Sequence, residues 1–216
     1  MTSGARLPKL EPSALDAEQR SLYDAIAGGR RAQGPQLFRL ADAEGRLEGP
    51  FNAFLLQPRL GSALQALGAS VRYDTGLGDR CREIAILVVA AHWRSDFEWY
   101  AHEAVGRAVG LGDAELAALR EGRHAELAGP ESVVARTAAA LAARGDLDDA
   151  EYAEAVGHLG PSGLFELLTL VGYYATLALQ LRVFRVPAPD SPAPDSPAPD
   201  SPAPDSPAPD SPAAPA

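Results

Sequence analysis

The sequence predicts an all-α fold, on three observations. Apolar residues recur at helical spacing, as Leu60, Leu64, Leu67 and Val71 do at steps of four, three and four. Glycines stand where such stripes stop, at Gly28, Gly110, Gly122, Gly145 and Gly160. Alanine and leucine dominate, β-branched runs are short, and no stretch reads convincingly as a strand.

Residues 1–15, with two prolines, predict an extended N-terminal arm. Asp16 then caps AEQRSLYDAIAGG, with Gln19 as its capping-box partner, which predicts a helix from Asp16 to about Ala27. Residues 29–50 are rich in Gly, Pro and charge and read as a loop; GPFNAFLLQP, bracketed by Pro50 and Pro58, reads as a short helix. The stripe that starts at Arg59 ends at GLGD, residues 76–79. Further helices follow at 80–94, 96–109, 114–121, 131–144, 149–159 and 162–184, joined by short connections that favour antiparallel packing. The helix from Leu164 to Phe184 is apolar nearly all round and carries charge only at Glu166 and Arg182, which suits a central helix or a subunit interface.

The folded body is expected to be one domain, residues 16–186, followed by a tail, residues 187–216, of five PAPDS units and a final PAAPA. The tail holds 12 of the 19 prolines and no large apolar residue, so disorder is expected there. Without the tail's five aspartates the formal charge of −10 becomes about −5, on a body with eighteen arginines and one lysine. Nothing in that balance points to nucleic acid. The longest apolar run, IAILVVAA at 84–91, is shorter than the roughly twenty residues that span a bilayer. A lone Cys81 and an N-terminus without an apolar leader set a cytoplasmic expectation.

The stretch SDFEWYAHE, residues 95–103, carries the candidate chemistry. Ser95 and Glu98 match a capping box, and Glu98 and His102 are one helical turn apart, so a cap with an ordinary ion pair accounts for them on an exposed face. Phe97, Trp99 and Tyr100 instead draw this helix into an apolar setting, where a buried carboxylate and imidazole suit proton transfer. Burial raises the Glu98 pKa and the helix N-terminus lowers it, so its sign stays open at this level. A metal site needs a further ligand motif, and no second Glu-x-x-His appears. Glu83, at the head of the apolar run, lies about 28 Å from His102 on one straight helix, so the two meet only if the chain turns near Ser95. Cys81, near a helix start, stands where a thiol pKa can fall, without a second cysteine to resolve an oxidised form.

REIAILVVAAHWRSDFEWYAHEAVGRAVGL, residues 82–111, resembles the signature of the carboxymuconolactone decarboxylase family, which also contains the alkylhydroperoxidase D proteins. The signature has a glutamate opening an apolar helix, a turn, a histidine about nineteen residues on, and a Gly-Leu stop; Glu83, His102 and Gly110-Leu111 meet it. The resemblance implies a single alkylhydroperoxidase D-like helical domain that assembles as a trimer or hexamer. It also implies that Glu83 and His102 form the polar pair of the pocket. Peroxidase members keep a Cys-x-x-Cys pair seven and four residues before the histidine, where this chain has Ser95 and Glu98.

The expected activity is therefore that of a cofactor-free carboxy-lyase acting on a small carboxylated or lactone substrate. His102 would move the proton, Glu98 would orient it or act as second acid, and Glu83 would relay through water. Asn52 in GPFNAF, Ser95, and Tyr174 in GYYAT are candidates for holding the substrate; neither a metal nor a cofactor is expected. Two alternatives are a helical oligomer that binds a small molecule or partner without turnover, and a thiol peroxidase working through Cys81.

Overall fold

The computed structural model describes residues 4–33 and 36–189. The PAPDS tail from residue 190 on lies outside the described residues. Among the described residues there are eight α-helices: α1 Ala17–Ala27, α2 Gly49–Phe54, α3 Pro58–Tyr73, α4 Asp79–Trp93, α5 Asp96–Ala108, α6 Asp113–Arg120, α7 Gly129–Arg144 and α8 Asp149–Phe184. Among the described residues the only β pairing is an isolated antiparallel bridge between Ala41 and Leu47.

The helix ends follow local chemistry. Asp16 caps α1 by accepting from the Gln19 backbone, and the Gln19 side chain returns the bond, so the capping box forms. Asp148 and Glu151 do the same for α8. The box expected at Ser95 and Glu98 does not form: Ser95 precedes α5 but makes no capping bond, and its buried Oγ has no partner. Glu98 is buried instead, in a cavity that Phe97, Tyr173 and Tyr174 also line. The two helices expected on either side of Gly160 run on as α8 through a kink, with Gly160 at φ 68° and Pro161 behind it.

Helix α4 is the centre of the molecule, in contact with α5, α6, α7 and α8. Residues 83–90 of α4 are all buried, which is why this segment reads as a continuous apolar run rather than an amphipathic stripe. Each fully buried Leu, Ile or Val there contributes about 1.5–3 kcal/mol relative to exposure. Helix α8 lays Leu164, Leu167, Leu170, Val171, Tyr174, Leu177 and Leu181 on the core and leaves Phe165, Leu168, Leu179 and Val183 exposed. By length and composition α8 could cross a membrane, yet half of its most apolar window is buried inside the fold, as in a core helix.

The arm is tied down by name. Lys9 pairs with Glu48 at 2.7 Å and Asp42 at 3.1 Å, and Arg6 N–H donates to the Phe184 carbonyl at 2.8 Å. Burial opposes ionisation of Asp42, but the Arg46 backbone and the Lys9 and Arg46 side chains overcome it and hold the carboxyl down at about 2. On the opposite side of the core, Glu166 of α8 accepts from the Gly76 and Leu77 backbones at 3.0 and 2.9 Å and fixes the loop that leads into α4.

Candidate active site

The α4–α5 turn builds the site. Arg94 adopts a left-handed conformation at φ 51°, and Ser95 N–H reaches back to the Ala90 carbonyl at 2.9 Å, so the chain reverses. That reversal lays the first turn of α4 beside α5. His102 Nδ1 lies 2.7 Å from Glu83 Oε2, with Glu83 1% and His102 6% exposed. The carboxylate opposite Nδ1 selects that nitrogen as the N–H donor and leaves the Nε2 lone pair free to accept a proton. Burial drives the imidazole pKa below its ordinary value, and Glu83 only partly offsets this, so His102 is neutral near pH 7.

Glu98 sits one turn before His102 and is 3% exposed. Burial pushes its carboxyl up to about 8, with Arg31 pulling the other way and Glu83 adding to the rise. Its Oε2 is buried without a hydrogen-bond partner. At neutral pH the site thus pairs a protonated carboxyl with a neutral, carboxylate-anchored imidazole, two titratable groups set apart by their surroundings.

Tyr174 crosses the His102 ring edge to face at a centroid distance of 5.1 Å, and Tyr173 crosses Tyr174 in the same way at 5.2 Å. Burial raises both phenols, Tyr173 to about 12 and Tyr174 well beyond the ordinary range, so both are neutral donors. Tyr173 reaches this position because Gly68 of α3 has no side chain: a Cβ there would stand 2.1 Å from the Tyr173 hydroxyl. Phe97 packs over Gly49 at the start of α2 for the same reason, since a Cβ at Gly49 would meet its ring at 2.2 Å.

Glu98, His102, Tyr173 and Tyr174 line one cavity, closed by Phe51, Phe97 and Leu177 and by Arg31. Its volume is about 20 Å³, room for a single water molecule. A groove of about 160 Å³ adjoins it, sharing Arg31 and Phe38 and adding Arg72 and Tyr73. Glu83 also lines a wider groove of about 630 Å³, together with Arg72 and Arg82.

Four of the six sequence candidates therefore gather around one centre, Glu83, Glu98, His102 and Tyr174. Two do not. Asn52 is buried, but its Oδ1 accepts from Leu10 N–H at 2.9 Å and its Nδ2 donates to the Pro8 carbonyl at 3.2 Å. It clamps the N-terminal arm and does not line the cavity. Ser95 ends the α4–α5 turn and is likewise absent from the cavity wall. Cys81 is half-buried beside Arg80 and Glu131, and its thiol is raised, by burial first and by Glu131 second, against the lowering expected at a helix start. No cluster of three or more His, Cys, Asp or Glu capable of holding a metal occurs among the described residues.

The arginines were the residues missed. Arg72 Nη1 stands 4.0 Å from Glu83 Oε1, an electrostatic pairing beyond hydrogen-bond reach, and Arg31 lines the same cavity as Glu98 and acts on its charge. Arg31 lies in GGRRAQGP, a stretch with the composition of a linker, and Arg72 lies one residue from the core-facing Val71. The available signal was the near-exclusive use of arginine over lysine.

No protein-family model matches the chain, and no curated protein matches it in sequence. Its fold does match solved structures. A peroxidase-related protein with an alkylhydroperoxidase AhpD core from Ralstonia eutropha superposes with a TM-score of 0.69 at 13% identity, over 88% of this chain and 95% of that one. A peroxidase-related protein from Silicibacter gives 0.64 at 15% identity over 84% and 90%. The debrominase Bmp8, in complex with 2,3,4-tribromopyrrole, gives 0.64 at 9% identity over 88% and 94%. At these identities the likeness is one of fold, and the fold of this chain is that of the AhpD-like helical proteins.

Proposed function

We propose that this protein is a cofactor-free acid–base enzyme, a carboxy-lyase of the carboxymuconolactone decarboxylase type acting on a small carboxylated or lactone substrate. The observation that carries the reading is the pairing of a buried Glu98, pushed up to about 8, with a His102 anchored to Glu83 at 2.7 Å around one cavity. Loss of CO2 from such a substrate leaves enolate charge. A protonated Glu98 donates a hydrogen bond to that charge and then its proton to the carbon that lost CO2; His102 takes a proton from solvent on Nε2 and returns it to the Glu98 carboxylate, while Tyr174 keeps the imidazole in place. Glu83, touching both the His102 imidazole and the groove beyond it, fits a positioning and relay role.

The AhpD-like fold includes proteins described as peroxidase-related, but thiol chemistry finds little support in this chain. Cys81 is raised and half-buried, and it does not line the cavity that holds His102. Binding without turnover is favoured by one observation, the cavity's room for a single water, because a substrate enters only if Arg31, Phe38 or Phe97 moves. The apolar outer face of α8, with Phe165, Leu168, Leu179 and Val183 exposed, supports assembly with further copies of the chain.

The test is a screen of small lactone acids and β-keto acids for CO2 release by the purified full chain, followed by His102→Ala and Glu98→Gln on any substrate found. Each substitution should lower turnover by about 10²–10⁴-fold. Unchanged turnover in His102→Ala sinks the reading.

A further inference from the structure

Arg31 and Arg72 come from segments forty-one residues apart and line the same groove beside the cavity. Arg31 Nε and Arg72 Nη1 are both buried without a hydrogen-bond partner. Buried guanidinium donors are costly to leave unpaired, and their planar fork matches a carboxylate. The arginines' positions relative to the catalytic groups are close enough that both act electrostatically on His102 and Tyr174. Arg31 is also one wall of the cavity that holds Glu98 and His102. Phe38 and Tyr73 supply the apolar and aromatic remainder of the groove.

We infer that Arg31 and Arg72 form a carboxylate-binding subsite, which holds the anionic end of the substrate in the groove and leaves its reacting carbon at Glu98 and His102. The inference deepens the acid–base reading by selecting an anionic substrate over a neutral lactone, and rests on that reading for the reaction served. Charge balance agrees with it. With Glu98 protonated, the cavity wall that Arg31 shares carries no carboxylate charge, and Arg72 has only Glu83 Oε1 near it, at 4.0 Å and beyond hydrogen-bond reach, so the two guanidiniums call for one further negative charge. A substrate carboxylate supplies that charge and excludes neutral molecules of the same shape by leaving the arginines unsatisfied. Arg30, exposed and paired with Asp74 at 3.3 Å, stands at the groove rim, where it draws anions inward without holding them.

The test is calorimetric titration of the full chain with benzoate, with benzamide as its uncharged isostere and with inorganic phosphate. Benzoate should bind about tenfold or more tightly than benzamide, and more tightly than phosphate. Arg31→Gln and Arg72→Gln should each weaken benzoate by about tenfold, and Arg31→Lys should restore part of the loss. Arg72 also faces the buried Glu83, so Arg31→Gln and Arg31→Lys decide the matter if Arg72→Gln does not fold. Equal affinity for benzoate and benzamide, undiminished benzoate binding in Arg31→Gln, or phosphate binding as tight as benzoate would each overturn the subsite. Glu98→Gln separates the two ideas: it should keep benzoate binding while lowering turnover by about 10²–10⁴-fold. Arginine-dependent benzoate binding in a protein that turns over nothing leaves the subsite standing and removes the acid–base reading alone.

Discussion

His102 Nδ1 and Glu83 Oε2 are 2.7 Å apart, although nineteen residues and a helix reversal separate them. The contact fixes the imidazole tautomer and keeps its free nitrogen on the cavity side. In Glu83→Gln the amide can donate as well as accept, so the tautomer is no longer imposed. Nitrogen-15 NMR of the histidine side chains should show the Nδ1–H form in the wild type and a mixture in the variant. Turnover of any substrate found should fall by about 10–100-fold, as for other partners that orient a histidine.

Glu98 makes stability depend on pH with a definite sign. Its folded pKa of about 8 exceeds the ordinary 4.5, so between these values the folded chain holds a proton that the unfolded chain has lost. The contribution is fully present below about 4.5 and is lost as pH rises toward 8, with a slope of up to about 1.4 kcal/mol per pH unit. Urea melts from pH 5 to 9 should show this fall, and Glu98→Gln should flatten it. Parallel curves for the two proteins would contradict the burial of Glu98 as an acid.

The same two groups set the expected activity profile. Turnover needs a neutral His102 and a protonated Glu98, so kcat/KM should fall at acid pH, below the ordinary imidazole range, and again above about 8. Removal of the alkaline limb in Glu98→Gln, measured on residual activity, assigns that limb.

Asn52 holds the arm through two hydrogen bonds, to Leu10 and Pro8. Asn52→Ala should lower stability by about 1–3 kcal/mol and speed proteolysis of the first fifteen residues. Benzoate affinity and turnover should stay as in the wild type; a specific loss of either would return Asn52 to the site.

The core of α4 and the contact at Gly68 give two stability tests. Leu87 is fully buried, and Leu87→Ala should cost about 2–5 kcal/mol in chemical denaturation. Gly68→Ala places a methyl within 2.1 Å of the Tyr173 hydroxyl and should cost about 1–3 kcal/mol. It should also disturb the near-ultraviolet signal of the edge-to-face pair Tyr173 and Tyr174.

The sequence by itself determined the helices, and the resemblance carried by residues 82–111 pointed to the pair at their centre. Caps, glycine stops and 3.6-residue periodicity are local properties, so α1 with its Asp16–Gln19 box and the α4–α5 reversal were legible, whereas the stop expected at Gly160 is a kink within α8. The apolar run of α4 marked its burial, and the reversal made a meeting of Glu83 with His102 geometrically allowed. The tertiary structure decided the rest. Ser95 and Glu98 carry a capping-box pattern, yet Phe97, Tyr173 and Arg31 enclose Glu98 and desolvation outweighs the helix N-terminus, raising its pKa. Asn52 went to the arm, and Arg31 and Arg72 came to the cavity, because those contacts span about forty residues and depend on which elements close over which. Local pattern fixes where a helix lies, whereas the charge state of a buried group depends on everything that encloses it.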